Sequence, residues 1–205
     1  MTRKKHEKSN KLGLYSAIFI IVIMVSSVIG FMYGDRNSDD TRKYGKTKFV
    51  ATQEGWMTSV NEEKIIFQFL PESTSDLEMD GATRDRLLSA NMVYMTSDFN
   101  DPFAQDIALA QYELADNMKK ISNKYFIAGF TDSASKTIPA ISCLNATVQI
   151  PVLYFKDGEK ARLSVSGNCV IFEGGYETDF LRFVDKLLFE NMGIDTTVEG
   201  LQKSK

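Results

Sequence analysis

Twenty-three consecutive residues, Leu12 to Gly34, carry no charge, and Ala17 to Val25 within them is continuously apolar. A helix rises about 1.5 Å per residue, so such a run reaches roughly 34 Å and matches a hydrocarbon core of about 30 Å. Only a helix satisfies its own backbone groups in that setting. The expectation is therefore a transmembrane helix over 12–34, through which the chain meets membrane lipid. Tyr15 and Tyr33 stand near its two ends, where amphipathic rings favour the headgroup region.

The flanking charges orient this segment. Residues 1–11 hold Arg3, Lys4, Lys5, Lys8 and Lys11 against Glu7, a net of +4, while Asp35, Asp39 and Asp40 follow the run. The positive-inside rule keeps the basic tail, 1–11, in the cytoplasm and sends everything after Gly34 across. A cleaved signal peptide is the competing reading. Signal h-regions are about 7–15 residues, and this run is longer and lacks an A-x-A site. Both readings place the remaining domain outside the cytoplasm.

The 205 residues allow one ordinary domain beyond the anchor. The whole chain carries −3, which leaves −7 for everything after the basic tail. An acidic domain without a compensating Lys/Arg cluster repels phosphate backbones, which excludes nucleic acid as an expected partner.

Residues 35–46 are polar and read as a hydrated stalk. The domain is expected over 47–194, with a polar C-terminal tail over 195–205. Lys48–Thr52, Trp56–Val60 and Ile65–Leu70, separated by Glu54-Gly55 and Asn61-Glu62, predict an antiparallel meander ending at Pro71. A short helix at 83–90 and a strand at 92–95 follow. Asp101-Pro102 places an N-cap carboxylate before a proline at the first helical turn. Ile107, Leu114, Met118 and Ile121 then recur with helical spacing to about Ser122.

Beyond a buried strand at 125–130, strands are expected at 138–143, 148–155, 161–166 and 169–172. Pro139 and Pro151 push their strands to an edge or to a start beyond the proline. A last helix at 178–192 is expected to be capped by Thr178 and closed by Gly193. This order predicts an α+β (or α/β) fold: one mixed-sheet domain with about three packed helices behind an N-terminal transmembrane helix.

Cys143 and Cys169 are the only cysteines. An even pair in an exported domain points to a disulfide. A redox pair favours Cys-x-x-Cys spacing, and zinc needs more ligands than two thiols. Asn145-Ala146-Thr147 is the sole N-x-S/T sequon, which makes Asn145 the candidate glycosylation site.

His6, in the basic tail, is the only histidine, so the domain has no imidazole for a nucleophile pair or a histidine metal site. No catalytic residue and no cofactor are expected. Ser133 and Lys136 match S-x-x-K spacing but lack downstream partner motifs and read as loop. Asp98, Asn100, Asp101 and Asp106 form an oxygen-rich cluster, a weak calcium candidate without the twelve-residue loop pattern; helix capping accounts for Asp101 more simply. Glu173-Gly174-Gly175-Tyr176 reads as a tight strand-to-helix turn rather than an anion cradle. Trp56, Phe67 and Phe69 read as core.

Trp56-Met57-Thr58, Phe69-Leu70-Pro71, the Asn168 to Gly174 run and the closing segment Asp185 to Ile194 are short words along one layout. In them the chain resembles a loose group of single-pass, exported archaeal proteins without assigned activity. The resemblance implies a cell-surface setting and a cysteine pair across the C-terminal strands. The function expected from all of this is a membrane-tethered, extracytoplasmic, non-catalytic interaction module, an accessory subunit of a membrane or cell-envelope complex with a protein partner. The alternative is an exported carboxylate-dependent enzyme or a sensor for a small ligand or calcium.

Overall fold

The computed structural model describes residues 15–16, 18–26, 40–132 and 137–196. The chain divides into two compact units, 1–39 and 40–205.

The first unit corrects the expected anchor: among the described residues no helix is long and apolar enough to cross a membrane. The longest helical stretch described there is 18–26, about 14 Å at 1.5 Å per residue and under half of a hydrocarbon core. Residues 1–14, 17 and 27–39 lie outside the described residues.

The second unit is α+β, and it corrects the expected single sheet: there are two. The first is an antiparallel meander, β1 (Thr41–Tyr44), β2 (Thr47–Thr52), β3 (Gly55–Val60) and β4 (Glu63–Phe67). Strand β1 comes from the segment read as stalk. It is an edge strand that needs little apolar surface, and its Tyr44 ring meets Phe49 edge-on at 5.7 Å. Gly45 turns the chain into β2 with φ +57°, a region that favours glycine.

The second sheet has five strands in the order β6-β5-β7-β9-β8. They are β5 (Met92–Ser97), β6 (Tyr125–Phe130), β7 (Val152–Asp157), β8 (Arg162–Ser166) and β9 (Cys169–Gly174). All neighbours are parallel except β8 with β9. No strand forms over 138–143. Only a bridge between Phe130 and Ala140 and a 3₁₀ turn at Cys143–Asn145 lie there. Pro139 offers no N–H to a ladder, and β7 begins immediately after Pro151.

Three helices belong to this unit: α1 (Gly81–Ser89), α2 (Ala104–Ser122) and α3 (Glu177–Asn191). Helix α3 is the middle layer. On one side Phe183 stacks on Phe172 of the five-stranded sheet at 4.3 Å. On the other, Phe189 stacks on Phe67 of the meander at 4.7 Å. The two sheets stay separate because each buries its own apolar face against this helix. Every residue from Phe183 to Phe189 is buried, the ionisable Asp185 and Lys186 included. Thr178 does not cap α3. The Asp179 carboxylate does, accepting the N–H groups of Gly175 and Tyr176 at 3.0 Å each.

The domain also runs past its expected end at Ile194. Thr196 is buried and accepts a hydrogen bond from Lys186 Nζ.

Candidate functional site

In an open sheet, ligands collect outside the carboxyl ends of parallel strands where the strand order reverses. Here that point lies between β5 and β7, because β6 continues from β5 on one side and β9 flanks β7 on the other. Asp98 follows β5, Thr131 follows β6 and Asp157 ends β7.

One carboxylate ties three strands together there. Asp98 Oδ2 accepts from the Tyr154 hydroxyl of β7 at 2.8 Å, and Oδ1 accepts from Thr131 Oγ1. Burial, with the hydrogen bond to Asp98 second, pushes the Tyr154 hydroxyl well above the ordinary tyrosine value. Asp101 is buried and bridges likewise. Its Oδ1 accepts Phe103 N–H at 2.8 Å, and its Oδ2 accepts Asp157 N–H at 2.9 Å.

All four oxygens of this acid pair are thus engaged by protein donors, an arrangement that builds a rigid strand edge. Asp101 is not the N-cap expected of it: α2 begins at Ala104 with Phe103 at its N-cap, two residues further on. Asn100 is exposed and Asp106 sits in the first turn of α2. Among the described residues no group of three or more His, Cys, Asp or Glu side chains is placed to hold a metal ion. Thr131 and Tyr154 escaped sequence reasoning, because neither carries a motif and only the strand order brings them to Asp98.

The Gly174-Gly175 turn is explained by close approach. A Cβ on Gly174 would lie 2.7 Å from the Phe180 ring, and one on Gly175 would lie 2.8 Å from the Glu159 carbonyl. The N–H groups that could cradle an anion are already bound by Asp179. Ser133 to Lys136, the S-x-x-K segment, lies outside the described residues.

The sheet's two faces differ. Val93, Met95, Leu153, Phe155, Val170 and Phe172 pack into the main core with the helices. The opposite face holds Val152 and Cys169, covered by Ile141 from the segment before β7, with Tyr94 and Tyr154 packed beside them. That segment is pinned twice. Cys143 and Cys169 form a disulfide with an S–S distance of 1.99 Å, and Thr96 Oγ1 donates to the Ile141 carbonyl at 2.6 Å.

This cover is partial. Strand β6 alternates so that Tyr125 and Ile127 share the covered face with Gly129, and they are 58% and 39% exposed. On the covering segment itself, Leu144 is 97% and Val148 64% exposed. Asn145 is exposed beside them, and its Oδ1 accepts Ser142 N–H at 2.8 Å.

Two open clefts lie elsewhere. One, about 1030 Å³, is lined by Arg84, Lys186 and Glu190, which pair with one another. The other, about 880 Å³, lies along the meander and the ends of α2 and α3. Neither includes Asp98 or Asp101.

No family model, curated protein or solved structure matches this chain.

Proposed function

We propose that the unit beginning at Asp40 is an extracytoplasmic, non-catalytic interaction domain, an accessory part of a cell-envelope complex. It docks a protein partner on the disulfide-pinned face of the five-stranded sheet. The observation that carries this reading is that Tyr125 and Ile127 on the sheet, and Leu144 and Val148 on the segment that covers the same face, are exposed apolar residues. An apolar surface gathered on one side of a domain marks an interaction site more often than a catalytic one. The disulfide supports an oxidising compartment, and the resemblance to exported proteins points the same way. A glycan on the exposed Asn145 would stand at the rim of this face.

Photo-crosslinking amino acids at positions 125, 127 and 144, with position 85 on α1 as control, test the reading in intact cells. Expected is one protein adduct formed from the three face positions and absent from the control. Adducts independent of position, or none, would remove the proposal. An impermeant maleimide that labels Cys143 and Cys169 in intact cells only after an impermeant reductant tests the compartment. Labelling that requires lysis but no reductant would sink it.

A second reading, a small-ligand or enzymatic site, rests on the place of Asp98 and Asp101 at the strand switch point. It calls for a small molecule that raises the thermal midpoint of the native chain and fails to do so with Asp98→Asn. A ligand screen without such a shift would dispose of it.

A further inference from the structure

The meander has two chemically distinct faces. Phe49, Ile65 and Phe67 point inward and are fully buried. The register places Val50, Met57 and Ile66 side by side on the outward face as successive partners across β2, β3 and β4. Side chains two residues along a strand share a face. The next outward row therefore holds Lys43, Lys48, Ser59 and Lys64, with Lys43 and Lys48 direct partners and Ser59 paired to Lys64.

Lys46, in the β1–β2 turn, joins Lys48 and Lys64 in lining the cleft of about 880 Å³. Val50 and Met57 line it from the outward face, Val60, Ile121 and Met192 line it from the core side, and Glu62 is its sole acidic residue. Among the described residues none of Lys43, Lys46, Lys48 and Lys64 forms an ion pair. Like charges directly opposite on neighbouring strands, about 4.8 Å apart, cost stability. The chain as a whole is acidic, at −3. The basic row is thus a local feature of an acidic chain, and Glu62 is the one carboxylate that lines the cleft with it.

We infer that this cleft binds an anionic amphiphile, its acidic head held by Lys46, Lys48 and Lys64 and its hydrocarbon chain laid against Val50 and Met57. Charge complementarity selects the head. The apolar row, one register step from the basic one, selects a chain over a bare anion. The volume lies within the range of small-molecule sites, about 300–1,000 Å³. The site shares no residue with the docking face of the five-stranded sheet, so each stands or falls alone.

Trp56 pairs with the inward Phe67, packs against the core and does not line the cleft, so binding is read by calorimetric titration of the full-length chain. Decanoate, kept below the concentration at which it aggregates, is the probe, with decyl phosphate in parallel to identify the preferred head. Expected is a saturable heat of binding whose affinity weakens at least tenfold in the Lys46→Gln/Lys48→Gln/Lys64→Gln variant and with added salt, and for which decanol does not compete.

Met57→Ser should weaken decanoate binding several-fold with an unchanged salt dependence. The lysines are exposed, and an unaltered thermal midpoint confirms that the triple variant folds. An absent or non-saturable heat, equal affinity in the triple variant, competition by decanol, or a response only once decanoate aggregates would each overturn the proposal.

Discussion

Asp185 Oδ2 accepts the backbone N–H of Phe69 at 2.8 Å, clamping the chain just beyond the meander to the middle of α3. The same oxygen accepts Gln68 N–H at 2.9 Å. Burial raises this carboxyl to about 8, opposed by those two N–H groups.

The folded state therefore holds the Asp185 proton more tightly than the unfolded chain, whose value is 3.8. The resulting stability is complete below about pH 4 and is lost as pH rises through about 8. Urea unfolding at pH 5 and pH 8.5 should show the native chain losing on the order of 4 kcal/mol more than Asp185→Asn over that interval. Equal losses in the two proteins would show that the clamp does not titrate.

Removing the disulfide should destabilise the domain markedly. The bridge spans a sequence separation of 26, for which chain entropy gives about 3.5 kcal/mol. Calorimetry of the Cys143→Ser/Cys169→Ser protein should show a midpoint lowered by several degrees. Reductant should lower the native midpoint to a similar value and leave the variant unmoved.

Lys124 donates to the carbonyls of Leu87, Leu88 and Ala90, closing the C-terminal end of α1 with a buried ammonium. Burial lowers its pKa. Lys124→Met keeps the aliphatic volume but orphans those acceptors, and should cost about 2–3 kcal/mol in denaturant unfolding. A loss below about 0.5 kcal/mol would mean that water replaces the ammonium at no cost.

Gly129→Ala should loosen the cover over the sheet. The added Cβ would lie 2.4 Å from the Pro139 carbonyl and 2.8 Å from Ile141 Cδ1. A shift of that backbone costs about 1–3 kcal/mol. Limited proteolysis should cut between residues 131 and 151 faster than in the native chain, and an unchanged cleavage pattern would argue against the contact.

Much of the fold was legible because periodicity and turn chemistry are local. Glu54-Gly55 and Asn61-Glu62 marked the meander turns, and Ile107, Leu114 and Met118 marked the buried face of α2. Strand β1 was missed because an edge strand can pair through its backbone with polar side chains throughout. Asp80, whose side chain accepts Thr83 N–H at 2.9 Å, starts α1 earlier than the apolar pattern shows.

The division into two sheets was not legible, since it depends on α3 being apolar on more than one side while carrying Asp185 and Lys186 inside. Their partners, at Phe69 and Thr196, are not predictable from spacing. The pairing of Asp98 with Thr131 and Tyr154 required the strand order itself.

Among the described residues, the middle layer of this domain is also the last helix along the chain. Until Glu177–Asn191 exists, Phe49 and Phe67 of one sheet lack Phe189, and Phe155 and Phe172 of the other lack Phe183. A nascent chain that stops short of this helix carries two open apolar sheets, the kind of species that aggregates. The described core therefore closes only once α3 has been made, and a truncation before residue 177 removes the keystone rather than an appendage.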